Sequence, residues 1–125
     1  MSKYQFISPS TRNGALIVSI LPHELRDLET SQAVKRELAE AVTAPGVNHV
    51  VLDLTNVDSI GSVGLLAFLS LRRVPGVERI VLCNLGANAK EVFMLCRLIA
   101  DEPNPVLPFE YAASVDDAIA LLQQS

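Results

Sequence analysis

The chain has 125 residues, half of them apolar and only 5% aromatic, with no tryptophan. That is the size of one domain, with a core built from Leu, Val, Ile and Ala. A net charge of −4 argues against a nucleic-acid partner, which asks for a basic patch.

No apolar run approaches the roughly 20 residues that cross a bilayer. The start, MSKYQFISPS, lacks the basic opening and apolar stretch of a signal peptide. A single domain over residues 1–125 is expected, cytoplasmic and without membrane contact. The only adjacent basic pairs, Lys35-Arg36 and Arg72-Arg73, each fit an exposed helix face. Cys83 and Cys96 form no CxxC and lie in apolar stretches, so both are expected as reduced core residues.

Tyr4–Ile7 is a short strand candidate, and as an exposed edge it is a candidate for self-association. Asn13-Gly14 marks a tight turn, because both residues tolerate positive φ. The apolar run Ala15–Leu21 follows, so an N-terminal hairpin is predicted, ended by Pro22. Asp27–Val42 has helical spacing, with Val34, Leu38, Ala41 and Val42 on one stripe. Pro45-Gly46 stops that helix.

His49–Thr55 reads as a strand too apolar for a sheet edge, of the kind found in parallel sheets covered on both faces. Ser62–Arg73 is the next helix, stopped by Val74-Pro75-Gly76. Arg79–Cys83 is a strand. Asn88–Ile99 is a helix, with Asn88 as N-cap and Glu91 three residues on. Pro103, Pro105 and Pro108 break the chain before a short strand, Phe109–Ala112. Ser114 with Asp117 caps a last helix, whose apolar side is Ala118, Ile119, Leu121 and Leu122. The fold class is α/β: a mixed, mostly parallel sheet of about 4–5 strands with about four helices.

The loop after His49–Thr55 carries the chemistry worth weighing, because loops at strand carboxyl ends are the usual functional places in such sheets. It runs Asn56-Val57-Asp58-Ser59-Ile60-Gly61-Ser62-Val63-Gly64 into a nearly wholly apolar helix. A serine opening a helix is first an N-cap, its oxygen accepting a first-turn N–H. The same position suits a phosphate, because the helix start carries partial positive charge and unpaired N–H groups. Helical spacing aligns Ser62, Leu66, Ser70 and Arg73 on one face, while Leu65, Phe68 and Leu69 point to the core.

Other chemistries find less support. Ser62 is not centred between glycines as in Gly-x-Ser-x-Gly, and the only histidines are His23 and His49, the latter at the far end of its strand. Gly61 and Gly64 lack the lysine and spacing of a phosphate-cradling loop. Asp53 and Asp58 have no third ligand and are expected to bond nearby backbone. No catalytic residue, metal or cofactor is expected.

Val51-Leu52-Asp53-Leu54-Thr55-Asn56-Val57, followed by Ile60-Gly61-Ser62-Val63-Gly64-Leu65, resembles the STAS domain of bacterial anti-sigma factor antagonists, whose pattern is roughly LDLS-x-V-x-x-I-D-S-[ST]-G-L-G. The hairpin, the preceding helix, Arg79–Cys83, the helix through Val92, Phe93 and Leu98, and the closing Ser114–Ala118 fit the same layout. The resemblance implies a partner switch. An anti-sigma factor that is a serine kinase of the histidine-kinase-like ATPase type phosphorylates a serine at the helix start, here Ser62. The unmodified antagonist binds that kinase, the phosphorylated one lets go, and a phosphatase resets it.

The surface expected to meet the partner is then Asp58, Ser59, Ile60, Gly61, Ser62, Val63, Leu66, Ser70 and Arg73. Gly61 stands where the family has Asp, Val63 replaces its second Ser/Thr, and Leu66 replaces its second Gly. Gly61 points toward a second reading, an unphosphorylated scaffold or a module binding a small ligand such as a nucleotide. A small hydrolase using Ser62 is a third.

Overall fold

The computed structural model describes residues 3–44, 46–100 and 106–124. Strands β1 (Ile7–Arg12) and β2 (Ala15–Ile20) form an antiparallel hairpin. Its turn places Asn13 at φ 53° and Gly14 at φ 83°, the two positive values that match the twist of a two-residue hairpin. After β3 (Glu24–Leu25), α1 (Leu28–Val42), β4 (His49–Asp53), β5 (Ser59–Ile60), α2 (Ser62–Leu69), β6 (Arg79–Cys83), α3 (Ala87–Leu95), β7 (Glu110–Ala112) and α4 (Val115–Gln123) follow.

The main sheet has the order β1-β2-β4-β6-β7, with every pair after the hairpin parallel. Strand alternation divides it between two apolar layers. Leu16, Val18 and Ile20 of β2, Val50 and Leu52 of β4, and Ile80 and Leu82 of β6 join the layer that contains Val34, Leu38, Phe68 and Phe93 of α1–α3. Ile17, Val51, Val81 and Cys83 turn the other way, onto Ala118, Ile119 and Leu122 of α4. With both faces covered, the central strands read as continuous apolar runs.

Asp27 is the N-cap of α1, its carboxylate accepting Thr30 N–H at 2.8 Å. That bond holds the Asp27 carboxyl below its ordinary pKa. Ser114 caps α4 through Asp117 N–H at 3.1 Å. The Val34, Leu38, Ala41 and Val42 stripe is buried as its spacing predicts.

Several expectations need correction. The first hairpin strand is Ile7–Arg12 rather than Tyr4–Ile7. The Gln5 and Phe6 amides donate to the Glu37 carboxylate, at 3.1 and 2.8 Å, so this segment is tied to α1. Strand β4 ends at Asp53, because the Asp53 carboxylate turns the chain by taking Thr55 N–H. Helix α3 is capped at Gly86, which leaves Asn88 inside the helix, and it ends at Leu95. Cys96 is exposed, on the outer side of the end of α3, and only Cys83 belongs to the core. Pro103 and Pro105 lie outside the described residues.

Candidate functional site

The loop between β4 and α2 is built from both ends. At the strand end, Asp53 Oδ1 accepts Thr55 N–H at 3.1 Å, the Thr55 hydroxyl at 2.6 Å and the Asn84 side-chain amide at 3.0 Å. One carboxylate thus ties β4 to its own loop and to the loop after β6. Val57 then turns inward and is buried.

At the helix end, β5 pairs in parallel with β3, Glu24 opposite Ser59 and Leu25 opposite Ile60. Asp58 N–H donates to the His23 carbonyl at 2.8 Å and Gly61 N–H to the Leu25 carbonyl at 2.9 Å. The Arg26 guanidinium donates to the Ser59 hydroxyl at 2.9 Å. His23 Nδ1 lies 3.0 Å from the Asn56 carbonyl, which makes it the donor, and 3.7 Å from the Asp58 carboxylate. Asp58 therefore meets a histidine across the loop, where a bond to nearby backbone was expected; Asp53 keeps the backbone role.

Helix α2 starts one residue earlier than a serine cap requires. Gly61 is its N-cap, with φ −106° and ψ −175° and no side-chain cap, and Ser62 is the first helical residue. The expectation that Ser62 caps the helix is overturned. Its hydroxyl stands exposed beside first-turn N–H groups that no side chain caps. Those groups leave partial positive charge at this end.

Gly64 lies in the same first turn, against β3. A Cβ there would lie 2.7 Å from the Leu25 carbonyl oxygen and 2.8 Å from Ile60 Cγ1. Only glycine lets α2 approach so closely. At Gly61 a Cβ would meet nothing nearer than Arg26 Cα at 3.6 Å, an ordinary contact.

The helix expected over Ser62–Arg73 is an α-helix only to Leu69; Ser70–Arg73 tightens into a 3-10 turn, so the ridge read from helical spacing runs along α2 from Ser62 to Leu66 and then into that turn. Ser62, Leu66 and Arg73 are exposed and Ser70 is half-buried, its hydroxyl donating to the Ala67 carbonyl at 2.6 Å. Leu66 is 62% exposed. Val63, Ser59 and Gly61 are half-buried around it, and Ile60 belongs to the core, so its side chain anchors the loop from beneath. Sequence reasoning missed His23 and Arg26, which the β3–β5 pairing brings to the loop.

Among the described residues no hydrogen bond joins Ser62 to a histidine. His49 opens β4 at the opposite end of the strand, 3.7 Å from Glu78. No group of three or more His, Cys, Asp or Glu among them is arranged to hold a metal ion, and no helix among them is long and apolar enough to cross a membrane.

The family model of the STAS domain matches residues 10–103, which takes in the hairpin turn, the loop and Ser62. The chain belongs to the STAS domain family. Solved structures share the fold of this STAS domain at low identity. An anti-sigma factor antagonist from Mycobacterium paratuberculosis is 21% identical, with 94% of this chain and 93% of that one covered at a TM-score of 0.74. The anti-sigma factor antagonist SpoIIAA in its unphosphorylated form is 17% identical, covering 95% and 99% at 0.63. A serine-to-glutamate variant of RsbS from Moorella thermoacetica is 13% identical, covering 95% and 96% at 0.66. No curated protein matches this STAS domain significantly.

Proposed function

We propose that this STAS domain is an anti-sigma factor antagonist, a cytoplasmic binding protein of one domain and not an enzyme, switched by phosphorylation of Ser62. The observation that carries the reading is the position of Ser62: exposed, first in α2, beside uncapped N–H groups, and on one ridge with the exposed Leu66. In its unmodified form the ridge binds an anti-sigma factor that is also a serine kinase. A phosphate would add about −1.5 to −2 charges at pH 7 to that ridge. The helix start tolerates this charge, while a partner packed on Leu66 would have to desolvate it. A phosphatase then restores the binding form. Structural neighbours that are anti-sigma factor antagonists support the same role.

The reading as a nucleotide-binding module fits less well. A site for such a ligand measures roughly 300–1,000 Å³. The cavity beside Val63 and Leu66 holds about 130 Å³, and a wider one of about 670 Å³ is lined by none of the loop residues.

The test is to purify the protein from its own cells, map phosphate by mass spectrometry and identify what co-purifies. Phosphate on Ser62, with a kinase bound only to the unmodified form, is the expected result. A Ser62 that stays unmodified through growth and stress, or a Ser62→Asp variant that keeps every partner, would overturn the proposal.

A further inference from the structure

Two leucines stand out of the surface on neighbouring helices: Leu28 at the start of α1, 58% exposed, and Leu66 in α2, 62% exposed. Between the helices lies the notch of about 130 Å³, lined by Leu28, Ser31, Lys35, Val63, Leu66 and others. It is too small for an ordinary small-molecule ligand and suits the insertion of a single side chain.

Its lining includes an unmet polar group. Ser31 is 1% exposed, and its hydroxyl has no hydrogen-bond partner among the described residues. A serine inside a helix ordinarily bonds back to the carbonyl four residues earlier. Here that carbonyl, of Asp27, takes only the Ser31 backbone N–H, at 3.2 Å. A buried hydroxyl left in this state carries a desolvation penalty that a polar group entering the notch would relieve.

The charge that lines the notch is positive, and no carboxylate lines it. Lys35 is the charged residue among those lining the notch. Arg36 lines the neighbouring cleft rather than the notch, and Arg73 lies beyond the end of α2. None of the three has an ion pair or hydrogen bond among the described residues, whereas Lys3, Arg12 and Arg79 are each paired with a carboxylate. Glu29 faces the wider neighbouring cleft together with Arg36. An unpaired lysine beside Leu28, Val63 and Leu66, with no carboxylate in the lining, is complementary to an acidic residue flanking an aliphatic anchor.

We infer that the notch between α1 and α2 receives a leucine-type side chain from an acidic segment of a protein partner, with a polar group of that segment bonding the Ser31 hydroxyl. This inference rests on the reading of the α2 ridge as a protein-binding surface and names what that surface recognises.

The test uses the full chain and fluorescein-labelled peptides of about a dozen residues with a central leucine flanked by glutamates. Fluorescence anisotropy should show binding that weakens with salt. Changing the peptide's leucine to alanine, or its glutamates to lysines, should weaken it by about tenfold or more, the effect of losing an anchor. Lys35→Glu and Leu66→Ser should weaken it comparably. Ser31→Ala should weaken it while leaving the free protein at least as stable, which separates a lost bond from a damaged fold. NMR should place the shifted amides at Leu28, Lys35 and Leu66.

A glutamate peptide that binds no better than its lysine counterpart, or shifts elsewhere, would overturn the inference. Concentration-dependent shifts at these amides without peptide would assign the notch to a second copy of the chain and overturn it as well. Peptide binding with an unmodified Ser62 in cells would keep the notch and remove the phosphorylation switch. The reverse pair of results would remove the notch and keep the switch.

Discussion

Gly64 lies so close to Leu25 that a Cβ on it would fall 2.7 Å from the Leu25 carbonyl oxygen and 2.8 Å from the Leu25 Cβ. This contact seats α2 on the β3–β5 pair and so sets where Ser62 emerges. The neighbours are backbone and a buried side chain, which cannot swing away.

Gly64→Ala should therefore destabilise the fold even though it sits in a helix. Overpacking costs about 1–3 kcal/mol; with a backbone oxygen at 2.7 Å the upper part of that range applies, and alanine's gain of about 1 kcal/mol over glycine in a helix leaves a net loss of about 1–2 kcal/mol. A Tm lowered by several degrees in calorimetry is the expected outcome. An unchanged or raised Tm would mean that the approach of α2 is not tight.

Gly61→Asp should behave differently. Its Cβ would find only ordinary contacts, and Asp is at least as good an N-cap as Gly, by a few tenths of a kcal/mol. Stability should change by less than about 0.5 kcal/mol. The added carboxylate restores the residue that the family pattern has before Ser62, so under the proposed switch a kinase acting on Ser62 should phosphorylate it faster. Equal rates in a phosphate-incorporation assay would show that the carboxylate is not what this helix start lacks.

Ser62→Asp should fold normally. A negative side chain in the first turn of a helix stabilises by about 0.3–1 kcal/mol at low ionic strength. The urea midpoint should rise slightly in dilute buffer and return to the wild-type value in high salt, whereas Ser62→Lys should lower it. Loss of a partner by Ser62→Asp can then be assigned to the interface.

The two cysteines should separate by reactivity. Burial, with a smaller contribution from the Asp53 charge, pushes the Cys83 thiol up to about 12, and Cys96 is exposed. Iodoacetamide at neutral pH should label Cys96 in the native protein and both residues in urea. The unfolded thiol loses its proton near its ordinary pKa of about 8.5, while the native one keeps it. The unfolded state thus binds fewer protons above that pH, and stability falls as pH rises toward 12. Cys83→Ala should flatten this part of the stability–pH curve, measured by urea unfolding. An equally steep curve in the variant would place the titration elsewhere.

The amino-acid sequence determined the features that are local. Asn13-Gly14 marks its hairpin turn because two adjacent residues carry the whole preference for positive φ. Val34, Leu38, Ala41 and Val42 announce the buried side of α1 by spacing alone. The motif loop and the exposed position of Ser62 were legible from a strand, a loop and a helix in order, and the STAS pattern named the family.

What the tertiary structure decided depends on segments far apart in the chain. Two-residue strands such as β3 and β5 are too short to show alternation, so their pairing, and with it His23 and Arg26 at the loop, left no trace in the sequence. Glu37 captures the amides of Gln5 and Phe6 and keeps them out of the sheet. The approach of Leu25 to Gly64 explains a glycine that no turn requires. The cap falls on Gly61 because the Leu25 carbonyl holds its N–H and keeps that residue extended, and this leaves the Ser62 hydroxyl uncommitted at the surface.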